Sequence, residues 1–134
     1  MYKNSPIAAW RNQKSNYLLQ GVQCAVCKAL FYPRKYRCYC GAMQFIPYQF
    51  SGKATLLSFT QITMPSVEFA EYSPYCIGLL ALKEGPNVLM QLADITFEKL
   101  QVGMEMTAVF RRYFAEGEAG MIFYGIKFIP IELA

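Results

Sequence analysis

The chain of 134 residues contains no histidine, and this removes the commonest general base and every Ser-His or Cys-His pair for nucleophilic catalysis. Its longest uninterrupted apolar run, Cys76 to Leu82, has seven residues and is far too short to cross a bilayer. The first residues lack the apolar core of a secretory signal. These absences favour a cytoplasmic protein that is not an enzyme.

Charge is also scarce, at 16% of residues against 54% hydrophobic residues, whereas about a quarter charged is usual. The charges are unevenly divided. Residues 1–53 carry eight basic groups and no acidic group, and residues 54–134 carry five basic and nine acidic groups. A chain this apolar is expected to expose a surface for a partner protein. Its basic first part is expected to attract a phosphate-bearing ligand or an acidic surface.

Four of the five cysteines form two close pairs, Cys24 with Cys27 and Cys38 with Cys40. Two such pairs can build the tetrahedral sulfur cage that Zn²⁺ favours. The segment around them is too short to bury a sufficient core, so a metal would supply folding free energy. We predict a structural zinc ribbon with these four ligands. An iron site of the rubredoxin type, or a disulfide, uses the same sulfurs and stays open as an alternative.

The loop between the two pairs is rich in aromatic and basic residues. Such interleaving can hold a phosphorylated nucleotide moiety through stacking and ion pairing. Alternatively, the aromatic rings cover the metal site and the cations are only solvated. The candidate ligand-binding residues are Tyr32, Arg34, Lys35, Tyr36 and Arg37.

Before the cysteines, Ser5-Pro6 predicts the start of a helix over residues 6–17. We predict that Trp10 anchors this helix on the ribbon or on the following domain. The stretch 43–51, which contains Pro47, is interpreted as a connector. The predicted domain division lies between residues 1–46 and residues 47–134.

From Lys53 onward, strand-like runs alternate with turn signals. The predicted strands cover 53–64, 75–83, 88–95, 104–114 and 121–131, with a short turn or helix at 97–100. Three strands, a short helical link and two more strands is the order of a five-stranded OB-fold barrel. The fold class is therefore mainly β. Cys76 is predicted as a small core residue.

The second and fifth predicted strands are apolar on both faces. A barrel exposed to water should instead alternate apolar and polar residues. We therefore expect the outer faces of these strands to be covered, either by the N-terminal segment or by another subunit.

Several motifs occur together in one order along nearly the whole chain. They are Trp10-Arg11, Cys24-x-x-Cys27, Phe31-Tyr32-Pro33-Arg34, Cys40-Gly41, Ser51-Gly52-Lys53, the run from Pro74 to Leu82, and Leu100-Gln101-Val102-Gly103-Met104. In these motifs the chain resembles the thiolase-associated family of small proteins that join a rubredoxin-like zinc ribbon to an OB-fold. It differs at two positions. The family usually has its third metal ligand at the position of Arg37, one residue before Cys38, and commonly has glycine at the position of Lys28.

The resemblance implies a non-catalytic accessory or scaffold subunit of thiolase-type or 3-hydroxy-3-methylglutaryl-CoA (HMG-CoA) synthase-type enzymes. It also implies an acyl-CoA context, in which coenzyme A could be held directly. In that case Arg34, Lys35 and Arg37 would contact its phosphates, with Tyr32 or Tyr36 under the adenine.

The alternative function is that of a single-stranded nucleic-acid-binding OB-fold protein. The loops that usually bind nucleic acid follow the first and fourth barrel strands, and here they are acidic. Acidic groups repel a phosphate backbone, so this alternative is disfavoured. The acidic residues of these loops are Glu68, Glu71, Glu116 and Glu118.

Overall fold

The computed structural model describes residues 5–11, 17–32, 34–115 and 122–131. These residues form one short helix, eight strands and two 3₁₀ helices, so the fold is mainly β, as predicted. The elements are α1 (Pro6–Arg11), β1 (Gln20–Cys24), β2 (Leu30–Phe31), β3 (Phe45–Gln49), β4 (Lys53–Ile62), a 3₁₀ helix (Val67–Tyr72), β5 (Tyr75–Leu82), β6 (Asn87–Leu92), a second 3₁₀ helix (Phe97–Lys99), β7 (Glu105–Ala115) and β8 (Ile122–Pro130). Within the described ranges no helix has the length and apolar character needed to cross a membrane.

The first three strands form an antiparallel sheet in the order β2-β1-β3. β1 lies in the centre, where Val22 pairs with Phe31 on one side and with Pro47 on the other. The interpretation of residues 43–51 as a connector is therefore wrong for β3. Pro47 is compatible with this strand because β3 is an edge strand, where a missing N–H need not break a ladder. The domain division after residue 46 stays a prediction, since this sheet continues to Gln49 and the barrel begins at Lys53.

The other five strands close into a barrel in the order β4-β5-β6-β8-β7, which confirms the predicted OB-fold architecture. The strands are antiparallel except where β6 meets β8, at Leu92 and Phe128. The barrel core is fully apolar. Leu56, Leu80, Met106 and Phe128 have no exposed surface, and Cys76 is 8% exposed, so the prediction that Cys76 is a core residue is confirmed.

The small sheet packs against the barrel around Phe50, which is 3% exposed. The rings of Tyr32 and Tyr48 meet the Phe50 ring edge to face, at centroid distances of 6.1 and 5.0 Å. Leu19, buried in the same cluster, joins the barrel core to the sheet. The joint therefore belongs to the barrel core and is stabilised by edge-to-face aromatic contacts. A second, smaller buried cluster lies inside the sheet and consists of Val22, Cys24, Phe31 and Cys38.

The Ser51-Gly52-Lys53 motif lies at the joint between the sheet and the barrel. The Ser51 hydroxyl donates a 2.6 Å hydrogen bond to the Glu84 carboxylate in the β5–β6 turn. Gly52 has a φ of +83°, a conformation that glycine adopts without steric cost, and its carbonyl accepts a 2.7 Å bond from the Ala108 N–H. The motif thus connects the first part of the chain to the β5–β6 turn and to β7.

The outward side of β4, β5 and β6 carries no charged side chain beyond Lys53 at the start of β4. A register shift between Leu56 and Ser58 marks a β-bulge, and with it Leu57 turns outward, where it is 41% exposed. We call this surface the uncharged face. It consists of Thr55, Leu57, Ser58, Thr60, Ile77, Leu79, Ala81, Asn87, Leu89 and Gln91.

The prediction that Trp10 anchors its helix is wrong, because its side chain is 72% exposed and that of Ile7 on the same face is 64% exposed. The i, i+3 spacing correctly places both residues on one side of α1. A spacing pattern, however, carries no information about which surface that side meets. The predicted continuation of the helix over residues 12–16 lies outside the described residues.

Tyr113 holds the β7–β8 hairpin together. Its ring lies over Gly125, where an added Cβ would be 2.4 Å from a ring carbon, and its hydroxyl donates a hydrogen bond to the Ile126 carbonyl. Burial, with a smaller contribution from Tyr32, raises the pKa of Tyr113 to about 12. The contribution of Tyr113 to stability is therefore fully present below pH 10 and is lost as the pH rises toward 12, because the unfolded tyrosine ionises first.

Tyr113→Phe is expected to lower the free energy of unfolding by about 1 kcal/mol at neutral pH, because it removes a hydrogen bond. It should also flatten the decline in stability between about pH 10 and 12. Denaturant titrations at pH 8, 10 and 11 measure both effects. Tyr36→Phe, which removes the hydroxyl of a ring that is 75% exposed, is the matched control. Equal pH slopes for wild type and Tyr113→Phe would contradict the assignment.

Candidate metal centre

The four paired cysteines converge at one end of the small sheet. Their Sγ atoms all lie within 4.8 Å of one another, with 3.7 Å between Cys24 and Cys40 and 3.3 Å between Cys27 and Cys38. Tetrahedral coordination at a Zn–S distance of about 2.3 Å places sulfurs about 3.8 Å apart. The four thiols therefore fit a tetrahedral metal ion, and the structure brings together all four residues that the sequence singled out.

Each pair lies on a tight turn whose next residue has a left-handed backbone. After the first pair, Lys28 has a φ of +61°, and after the second, Gly41 has a φ of +90°. The Lys28 N–H bonds to the Cys24 carbonyl four residues back, whereas the Gly41 N–H bonds to the Cys38 carbonyl three residues back. The second turn is thus one residue shorter, and this accommodates the Cys-x-Cys spacing. The left-handed φ at position 28 also explains why glycine suits that position in the related family.

The environment of the sulfurs favours a bound cation. The backbone N–H of Cys27, followed by that of Val26, lowers the pKa of Cys24 to about 6 although burial opposes it. The amide of Cys40 also lowers the pKa of Cys38, but burial and the neighbouring thiols outweigh it and raise that pKa to about 12. Burial and the neighbouring sulfurs thus disfavour four negative charges at this place. A divalent metal ion would offset that cost and allow all four cysteines to bind as thiolates.

Two of the five candidate ligand-binding residues, Tyr32 and Lys35, are partly buried. Tyr32 is half-buried at the joint with the barrel. The Lys35 ammonium lies 4.7 Å from the Phe31 ring centroid and 4.4 Å from that of Tyr39, and it donates a 2.9 Å hydrogen bond to the Tyr39 hydroxyl. Sequence reasoning did not single out Tyr39, although the alternation of basic and aromatic residues continues to that position.

The other three candidates face solvent. The Arg34 guanidinium lies 5.4 Å from the centroid of the Tyr36 ring, which is 75% exposed, and Arg37 is exposed close to the metal centre.

On the barrel, the Asp94 Oδ2 atom lies 2.8 Å from the Arg111 Nη2 atom in an exposed ion pair. This is an ordinary surface contact rather than part of a paired acid–base site.

Comparison with known proteins supplies the family. The chain is 38% identical over 122 residues to a DUF35 domain-containing scaffold protein of Pyrococcus furiosus, covering 91% of this chain and 90% of that protein. It is 34% identical over 128 residues to a protein of the same description from Methanocaldococcus jannaschii, covering 94% and 91%. The chain belongs to the DUF35 family. A family model described as the C-terminal OB-fold domain of ChsH2 matches residues 48–111, which include most of the barrel.

A solved structure described as an Ltp2-ChsH2(DUF35) aldolase has the same fold. It superposes with a TM-score of 0.70 at 21% identity, covering 97% of this chain and 96% of that chain. The superposition extends over the ribbon as well as the barrel. The small sheet and the five-stranded barrel of this chain are therefore both present in the fold of that structure.

Proposed function

We propose that this chain is a non-catalytic scaffold subunit that binds thiolase-type or HMG-CoA synthase-type enzymes. The observation that carries the proposal is its similarity, over more than nine-tenths of its length, to proteins described as DUF35 scaffold proteins. The exposed apolar side chains on both parts of the molecule support it, since large exposed apolar surface is typical of a protein that binds partners. The partner classes follow from the family resemblance of the sequence motifs.

Within this role, zinc is the metal that best suits the four-sulfur centre. Four thiolates saturate a tetrahedral ion and leave no open position for a substrate, so the metal has a structural role. It would hold the turns of the small sheet around Val22 and Phe31, which are buried beside Cys24 and Cys38. The centre would thus stabilise a surface rather than perform chemistry.

We propose further that the basic loop contributes to holding coenzyme A. The three exposed candidates, Arg34, Tyr36 and Arg37, are available for its phosphates and adenine. Guanidinium groups bind phosphates by paired charge-assisted hydrogen bonds, and an exposed tyrosine ring offers a stacking face. Tyr32 and Lys35, which are partly buried, would stabilise the loop through their contacts with neighbouring rings.

Nucleic-acid binding is less well supported. OB-folds bind oligonucleotides on the face of their second and third strands, which here are β5 and β6. The outward residues of these strands include no cation, and their aromatic ring, that of Tyr75, packs on Phe69 at 5.5 Å. Phosphate neutralisation and base stacking, the two main contributions to such binding, are both missing from this face.

The proposal is tested with the purified chain and with purified thiolase-type and HMG-CoA synthase-type enzymes from the same organism. We expect co-elution with at least one enzyme in size-exclusion chromatography, and a dissociation constant measurable by calorimetry. Coenzyme A should bind to the complex, and Arg34→Gln combined with Arg37→Gln should weaken this binding about tenfold, because it removes two phosphate contacts.

Lys83→Gln combined with Lys99→Gln, which removes two exposed cations outside the loop, is the control for the loss of positive charge. It should leave coenzyme A affinity unchanged. Failure of the wild-type chain to co-elute with either enzyme contradicts the scaffold role. An equal affinity for coenzyme A in the double variant and the control contradicts the role of the loop. A salt-dependent gel shift with single-stranded DNA or RNA would support the nucleic-acid alternative.

A further inference from the structure

We propose that the uncharged face of the barrel is where the enzyme partner docks, through an uncharged, apolar surface of that enzyme. The inference rests on the scaffold role proposed above and assigns it to named side chains. Neither the family resemblance nor the metal centre points to this surface. Only the register of the barrel strands shows that these side chains lie on one face.

The distribution of charge distinguishes this face from an ordinary solvent-facing sheet. β4, β5 and β6 contain 10, 8 and 6 residues, and Lys53, at the first position of β4, is their single charged residue. The solvent-facing side of an antiparallel sheet is usually polar. The centres of protein interfaces are instead depleted of charge. The uncharged face therefore has the composition of an interface centre.

Three leucines form the middle of this surface. Leu79 on the central strand pairs with Leu89 on β6 and with Ser58 on β4, beside the bulged Leu57. Leu89 is 66% exposed and Leu57 is 41% exposed. Side chains directly opposite across neighbouring strands lie about 5 Å apart. The leucines therefore form one row across the three strands, with hydroxyl and amide side chains around it.

The size of the face and the charge of the chain favour an enzyme over a second copy of this chain. Three strands of about six residues cover about 14 by 20 Å, or about 300 Å². A stable interface needs about 800 Å² from each partner. Two copies, each with a net charge of +4, also repel one another as they approach. An enzyme of larger area can continue beyond the sheet without this repulsion.

The adjoining loop provides such a continuation. Met64 and Val67 follow β4 at one end of the same sheet, and they are 92% and 82% exposed. A partner that covers the leucine row can extend along the β4–β5 hairpin onto these two side chains. The additional apolar area would then bring the contact toward the size of a stable interface.

The experiment places a charge of either sign at Leu89, whose exposure allows substitution without disturbing the core. Leu89→Lys and Leu89→Glu are each expected to weaken binding of the co-eluting enzyme at least about 30-fold, because either charge would be buried without a partner. Met43→Lys and Met43→Glu are the matched controls, since Met43 is 69% exposed on the ribbon. They should change affinity less than about threefold. Calorimetry measures binding, and circular dichroism confirms that each variant is folded.

The outcomes separate the two proposals. If the wild-type chain binds neither enzyme, the scaffold role itself fails. If it binds, and both Leu89 variants bind equally well, the docking site is elsewhere and this inference is overturned. It is also overturned if one sign of charge strengthens binding, or if the Met43 variants lose as much affinity. Sedimentation showing a wild-type dimer that Leu89→Lys dissociates, with enzyme binding retained, would assign the face to a second copy instead.

Discussion

Cys38→Ser is expected to abolish tight zinc binding. The wild-type chain should bind one zinc ion, and the variant should bind it at least about 100-fold more weakly, because a serine hydroxyl is a poor replacement for a thiolate ligand. Cys38 is buried beside Val22 and Phe31, so loss of the metal should also loosen the small sheet. Competition with a chromophoric chelator measures the affinity, and the absorption of the cobalt-substituted protein reports the four-sulfur coordination.

Cys76→Ala provides the matched control for loss of a buried thiol. Its side chain lies in the barrel core, away from the other four sulfurs, so this variant should keep one zinc ion while its barrel becomes less stable. A Cys38→Ser variant with wild-type zinc affinity would contradict the assignment of Cys38 as a ligand. Visible absorption from iron in protein purified without added metal would show that the centre holds iron instead.

Gly21→Ala is expected to have the largest effect on stability among the glycine substitutions. A Cβ on Gly21 would lie 2.2 Å from the Phe31 carbonyl oxygen and 2.6 Å from a carbon of the Phe50 ring. The first of these is a backbone atom of the neighbouring strand and cannot move aside without breaking the β1–β2 pairing. The free energy of unfolding should therefore fall by about 3 kcal/mol. Denaturant unfolding of the zinc-saturated protein measures this change.

Gly85→Ala separates the steric effect from the conformational one. Gly85 has a φ of +122°, but a Cβ added there would have no atom within 4 Å, so its replacement adds backbone strain without a clash. We expect a loss of about 1–2 kcal/mol for this variant. Equal losses for the two variants would show that Gly21 does not mark a close approach of β1 to the Phe31 carbonyl and the Phe50 ring.

Most of the barrel could be predicted from the sequence because its information is local. Glycine and proline end the strands, and alternation within each strand separates inward from outward residues. The predicted and observed bounds of β5, for example, differ by one residue, 75–83 against Tyr75–Leu82. β3 was missed because Pro47 argues against a strand unless its edge position is already known. Trp10 was misplaced because helical spacing identifies a shared side but not its environment.

For the candidate site, too, some features could be predicted from the sequence and others could not. The cysteine spacing was sufficient to predict which thiols meet, because a metal ion constrains ligands that lie close together in sequence. The sequence did not show which residues of the basic loop contact neighbouring rings and which face solvent. The alternation of cations and rings is the same for Lys35, which lies over the rings of Phe31 and Tyr39, and for Arg37, which faces solvent.

The sequence alone determined the four-sulfur centre, the order of the barrel strands and the concentration of positive charge before residue 54, because each depends on residue type and spacing along the chain. Only the tertiary structure decided that Phe50 joins the ribbon to the barrel and that Leu57, Leu79 and Leu89 form one row on an uncharged surface. These residues come together through strand register and a bulge. Register is set by pairing between distant segments, which local sequence patterns do not encode.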